Sequence, residues 1–152
     1  MAEIKQKLAD SAAVTITLAS LANGAGRGSN SIDNSSALAP EADIYVKIKT
    51  GASGVSATGY VDIYLIKSED GTNYDDGFGG SDAAFTPKNV SYIGTISANA
   101  NATTYQRVFN TLGLGGLPRK FCIGIVNNTG AAFDSTAGNH AVTYTLKTSQ
   151  TA

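Results

Sequence analysis

The side chains best suited to chemistry are few and lie far apart in the chain. His140 is the only histidine and Cys122 the only cysteine among 152 residues. A serine–histidine–aspartate triad would have to recruit His140, yet no Gly-x-Ser-x-Gly elbow is present. A Cys122–His140 thiol pair needs an accessible thiolate, whereas Cys122 lies inside the apolar run from Lys120 to Val126, where a free thiol is inert packing. No histidine and cysteine spacing fits zinc. Asp70, Asp75, Asp76 and Asp82 offer the hard oxygens that calcium takes, but not at EF-hand spacing, and Asp70-Gly71 reads as a turn. Paired carboxylates occur only in this irregular stretch, a poor place to hold glycosidase geometry. The glycine-rich segment 19–29 lacks the Gly-Lys-Ser/Thr ending of a phosphate loop, and no helix follows it. The expectation is a non-enzyme with no catalytic residue, cofactor or metal.

Tyr60 and Tyr64 flank Asp62 on one face of a strand, a pattern that stacks sugars or protein side chains. The absence of tryptophan counts against a carbohydrate platform. Otherwise this face is expected to be covered by a second layer or a subunit.

These residues must be held by a fold that the composition narrows. One domain is expected, long enough to bury roughly two-thirds of its unfolded surface. Apolar residues make up 42% and charged residues only 15%, against about 25% charged in an average globular chain. Low charge with many small residues suits a surface that packs on protein. Net charge is −1 and no basic cluster occurs, which argues against nucleic acid. No apolar run is long enough to span a membrane as a helix. The first residues lack the apolar core of a secretion signal. A single cysteine fits synthesis in a reducing cytoplasm.

Residues 1–11 read as a separate N-terminal arm: Ile4 and Leu8 are four apart, and Glu3 is placed to pair with Lys7 at helical spacing. Residues 12–152 read as a β-sandwich. Val14 to Leu18 alternates as a half-buried strand, and Ser29 to Asn34 reads as a short edge strand. In Asp43 to Lys49, Ile44, Val46 and Ile48 face inward. Gly59 to Lys67 is the central strand, with Val61, Ile63 and Leu65 on one face and Tyr60, Asp62, Tyr64 and Ile66 on the other, so both sides need covering. The two are expected to pair as an antiparallel hairpin. Residues 68–89 lack periodicity and read as a solvated or inter-subunit contact loop. Tyr92 to Ile96, Thr103 to Phe109, Lys120 to Val126 and Ala141 to Lys147 complete seven or eight strands. The expected architecture is all-β, a two-sheet antiparallel sandwich of jelly-roll type.

Several segments together resemble a family of small virion proteins of tailed bacteriophages. They are Leu18-Ala19-Ser20-Leu21-Ala22-Asn23-Gly24 with Arg27 and Asp33-Asn34; the turn Asp70-Gly71-Thr72-Asn73-Tyr74; Leu117-Pro118; Asn127-Asn128-Thr129-Gly130-Ala131-Ala132-Phe133-Asp134; and Gly138-Asn139-His140-Ala141-Val142. These are turns and strands, not reactive sites. Phe121 departs from the bulkier aromatic that such proteins often carry near Lys120. The resemblance implies a capsid decoration (cement) protein on the virion surface, a homotrimer bridging major capsid protein subunits. It also admits a tail-fibre or receptor-binding tip that recognises a host glycan, or a tail or neck component. The interface candidates are Ile4, Lys5 and Leu8 of the arm, Tyr60 and Tyr64 of the central strand, and Tyr74 and Phe78 of the long loop.

Overall fold

The computed structural model describes residues 3–151. It contains eleven strands: β1 (Ile4–Leu8), β2 (Ala12–Ala13), β3 (Gly26–Gly28), β4 (Ile32–Asp33), β5 (Glu41–Lys49), β6 (Tyr60–Ser68), β7 (Ala83–Ala84), β8 (Ser91–Ser97), β9 (Thr104–Asn110), β10 (Lys120–Asn128) and β11 (Ala141–Thr151). All pairings are antiparallel. One sheet runs β2-β11-β5-β9 with β1 extending β2 along β11; the other runs from β3 and β4 through β10 and β6 to β8, with β7 outside β3. Taking β3 with β4 as one interrupted strand, this is the eight-strand order of a jelly roll. The all-β sandwich read from the sequence is what the chain forms.

The core lies between the inner faces. Ile44, Val46 and Ile48 of β5 and Val142 of β11 meet Val61, Ile63 and Leu65 of β6 and Phe121, Ile123 and Ile125 of β10, all essentially without solvent contact. Strict period-two alternation along β5 produces this: each inward residue is apolar and each outward one polar or aromatic. Asn34, Asn127 and Thr129 are also buried, and each is hydrogen-bonded. Among the described residues, no buried side-chain nitrogen or oxygen lacks a partner.

Three local expectations are corrected. The arm is not a helical turn, because residues 4–8 pair with β11 from Thr151 to Lys147, and Glu3 bonds Lys5 at 3.2 Å. Ile4 and Leu8 are four positions apart, a spacing that also puts them on one face of a strand; a ready strand edge decides between the two. Val14 to Leu18 alternates in burial as expected but joins no ladder. It leaves β11 after the Val14 N–H to Val142 C=O bond and crosses to the other sheet, where Thr15 C=O accepts from the Asn30 N–H. Finally, β5 and β6 do not form a hairpin. They lie at the centres of opposite sheets, because each has an apolar face that must be buried against the other layer.

The outer face of β10 and of β6 from Tyr64 onward is covered by the chain itself. Ile66, Phe85, Cys122 and Val126 form a second, smaller core with Tyr64, Tyr74, Phe78 and Val90 packed against it. Both strands are thus covered on both sides there, as their composition requires, and the cover is the 69–90 connection. Its four aspartates hold it in place: Asp70 and Asp76 bind its own backbone, and Asp75 and Asp82 fasten it to the rest of the chain. Asp70 accepts from the Thr72 and Asn73 N–H groups, Asp75 from the Lys67 N–H, Asp76 from the Lys88 and Asn89 N–H groups, and Asp82 from Thr17 and Arg27. The loop is ordered by these bonds despite having no periodicity.

Candidate functional site

The chemically reactive side chains hold structure. His140 donates from Nε2 to the Asp134 carbonyl at 2.9 Å, and its Nδ1 faces the Lys49 N–H at 3.4 Å. Its ring stacks on Phe133. Cys122 belongs to the small core under Phe85, where desolvation pushes its thiol up to about 12. Cys122 is in β10 and His140 in the turn before β11, and they share no hydrogen-bond partner. Among the described residues, no cluster of three or more His, Cys, Asp or Glu side chains is arranged to hold a metal ion.

The sequence segments that carry the phage-virion resemblance meet in pairs. Asn127 donates from Nδ2 to the Leu21 and Ala131 carbonyls at 2.8 Å each, and Asn23 Oδ1 accepts from the Gly130 N–H at 2.8 Å. Asn34 donates to the carbonyls of Ala39 and Pro118. Asp134 accepts from the Thr136 N–H and the Asn139 amide, which hold its pKa well below the usual carboxylate range. These motifs are clasps between distant turns.

What remains for recognition is surface, and the two sheet faces differ. Among the described residues, the outer face of the β5 sheet meets the 134–140 turn at one end only, where Lys47 donates to the Gly138 carbonyl and Lys49 pairs with Asp134 at 3.4 Å. It presents Tyr45 and Lys47 of β5, Thr143 and Thr145 of β11 and Val108 of β9, placed by the pairing register. Toward the start of β5 a polar network runs across four strands. Gln6 donates to Glu41, Asn110 donates to both Glu41 and Asp43, and Lys147 pairs with Asp43 at 2.9 Å. Partial burial raises the Asp43 pKa, but the Asn110 amide and Lys147 ammonium outweigh it and leave it lowered.

The most exposed large aliphatic residues described are Leu38 (75%), Ile4 (72%), Leu112 (61%), Leu8 (59%) and Val108 (58%). Ile4 and Leu8 share the outer face because Leu8 sits opposite Lys147, itself opposite Glu41. Leu112 follows Asn110, which caps its N–H. Leu38 holds a left-handed backbone, φ +48°, fixed by bonds from its own N–H and that of Ala39 to Asn34. A strained leucine aimed at water at a loop tip marks a contact point more readily than a packing position. Single exposed leucines are ordinary; what stands out is that Leu8 and Val108 border the polar network on one face while Leu112 and Leu38 project from the turns next to it in the chain.

The interface candidates divide. Ile4, Lys5 and Leu8 lie exposed on β1, with Lys5 on the face opposite the other two. Tyr60 is exposed at the far end of β6. Tyr64, Tyr74 and Phe78 are half-buried against their own chain: Tyr64 meets Phe85 and Tyr92 edge-on at 6.0 and 5.7 Å, Tyr74 donates to Ser31 Oγ, and Phe78 lies against Phe85. Tyr92, exposed and beside Tyr64, has no signal in the sequence. A bulge at Ile93 brings it opposite Tyr64. Burial first, then Asp62 and the neighbouring tyrosines, raises the Tyr64 pKa. Leu38, Val108 and Leu112 are also absent from the sequence reading; large aliphatic residues in glycine-rich or polar surroundings are the clue to them.

Comparison with known proteins returns no matching family model and no matching curated protein. No helix among the described residues is long and apolar enough to cross a membrane.

Proposed function

We propose that this chain is a bacteriophage virion structural protein, a capsid decoration or cement protein that binds the outer surface of the major capsid shell and stabilises it. The supporting observation is the unequal treatment of the two sheet faces. One is covered over β10 and the end of β6 by the chain's own 69–90 connection, with Tyr60 and Tyr92 left exposed beyond it, while the other has no such cover and carries exposed aliphatic residues toward one end. Function then resides in shape and buried area, with the reactive groups committed to structure. The motif resemblance points to the virion; the jelly roll itself serves both capsid and sugar-binding domains and does not discriminate. As a homotrimer, the protein would multiply a modest contact by avidity across capsomers. The test is co-sedimentation of the purified chain with preformed empty heads. Saturable binding lost on Leu38→Ser, Leu112→Ser substitution supports the proposal, and no binding at micromolar protein rejects it.

A second reading is favoured by one specific feature. Tyr60 (42% exposed) and Tyr92 (51% exposed) lie on the same outer face as Asp62, whose carboxylate accepts from Thr95 and Asn128. Such a strip suits a receptor-binding tip that stacks a host glycan. Glycan-array binding by the isolated chain, abolished by Tyr92→Ala, would favour it.

A further inference from the structure

β1 and the end of β11 form a two-stranded ribbon that outruns the sandwich. β5 stops pairing with β11 at Lys147, whereas β1 continues beside it to Thr151. Every residue of β1 is exposed, and a ribbon of two strands open on both faces is marginal in water. The Ala9 N–H to Leu146 C=O bond sets the phase of the ladder. In an antiparallel pair bonded positions alternate, so Lys5 and Lys7 bond inward to β11. The N–H and C=O groups of Ile4, Gln6 and Leu8 therefore face away, along an edge that no described residue occupies. Side chains alternate as well, with Ile4, Gln6 and Leu8 on one face and Lys5 and Lys7 on the other.

We infer that this edge accepts a third strand from a partner protein, an extended segment alternating apolar and acidic residues. Main-chain bonds to Ile4, Gln6 and Leu8 provide the attachment, as in other strand-addition complexes. Apolar partner residues lie beside Ile4 and Leu8, and carboxylates lie beside Lys5 and Lys7. Charge selects this occupant over a second copy of the chain. Antiparallel self-pairing centred on Gln6 would set Lys5 opposite Lys7 twice, and like charges directly opposite repel. Edge lysines are a recognised guard against self-addition. The inference rests on the ribbon and not on the capsid reading.

The experiment titrates the full-length, nitrogen-15-labelled chain with two ten-residue peptides, one alternating glutamate and valine, the other lysine and valine. Expected are shifts and slowed hydrogen exchange at the amides of Ile4, Gln6 and Leu8 with the acidic peptide only, weakening as salt rises. The Lys5→Glu, Lys7→Glu double variant should bind the acidic peptide about tenfold or more weakly, from two reversed cross-strand pairs, and should gain affinity for the basic one. Both positions are exposed, so circular dichroism of the variant should match the parent. Equal response to both peptides, no change at the three amides, or protection that grows with protein concentration alone would each overturn the proposal, the last by showing that a second copy fills the edge.

Discussion

Gly124 lies directly beneath Phe85: a Cβ on Gly124 would come within 2.5 Å of the ring's Cε1. Phe78 sits over Gly28 in the same manner, at 2.4 Å. The missing side chains leave hollows in the outer face of the β10 sheet, and the aromatic residues of the 69–90 connection fill them. That is how a segment without regular structure seals a sheet.

Replacing Gly124 with valine therefore evicts Phe85. The overpacking costs about 1–3 kcal/mol, and the cover over Cys122 opens. A thiol reagent at pH 8 should leave the parent protein unmodified and label Gly124→Val readily; equal protection in both would show that the ring does not depend on the hollow.

Stability should fall in acid through the turn carboxylates. Asp70, held by the Asn73 and Thr72 N–H groups, and Asp134, held by Asn139 and Thr136, have folded pKa values well below the usual range. A depressed folded pKa contributes stability that is present above the unfolded value of about 3.9 and is lost as pH drops toward the folded one. Urea midpoints should decline below about pH 4. The Asp70→Asn, Asp134→Asn variant should have a flatter profile there; an unchanged slope would remove these groups from the account.

Asn127 clasps two distant turns, donating to Leu21 and Ala131 and accepting from Thr129. Asn127→Ala leaves the Thr129 N–H without a partner and takes one of two donors from the Leu21 and Ala131 carbonyls, at a cost of about 1–3 kcal/mol, read as a Tm lower by roughly 2–12 °C. A shift under a degree would show that water replaces the amide without penalty.

Removal of residues 1–9 takes away β1 but leaves Val14 and the core strands. The truncated chain should keep its Tm within a few degrees and bind empty heads measurably less. Full occupancy by the truncated protein would exclude the ribbon from attachment.

Most of the fold is written in alternation. Strands β5, β6, β8, β10 and β11 are legible because each presents an apolar face, and the two-sided apolar character of β6 and β10 correctly demands a cover. What alternation cannot convey is partnership. β5 and β6 follow one another with a short connection and still lie in different sheets. Ile4 and Leu8 fit a helix turn and a strand face equally, and only the free edge of β11 decides. The cover itself is illegible because it is seated by the hollows at Gly28 and Gly124 and by aspartate bonds to Lys67, Thr17 and Arg27, all outside the segment itself. The open face was hidden for the same reason: Val108, Leu112, Ile4 and Leu38 are scattered along the chain, and pairing register and turn geometry gather them.

The measurement that bears most directly on the proposal is a cryo-electron microscopy map of the purified virion at side-chain resolution. The account predicts density for this jelly roll on the head shell, with the open face of the β5 sheet and its rim of Ile4, Leu8, Leu38 and Leu112 against the major capsid protein, and the loop-covered face outward. Density at the tail tip, or a copy seated on the shell by its loop-covered face, would contradict it.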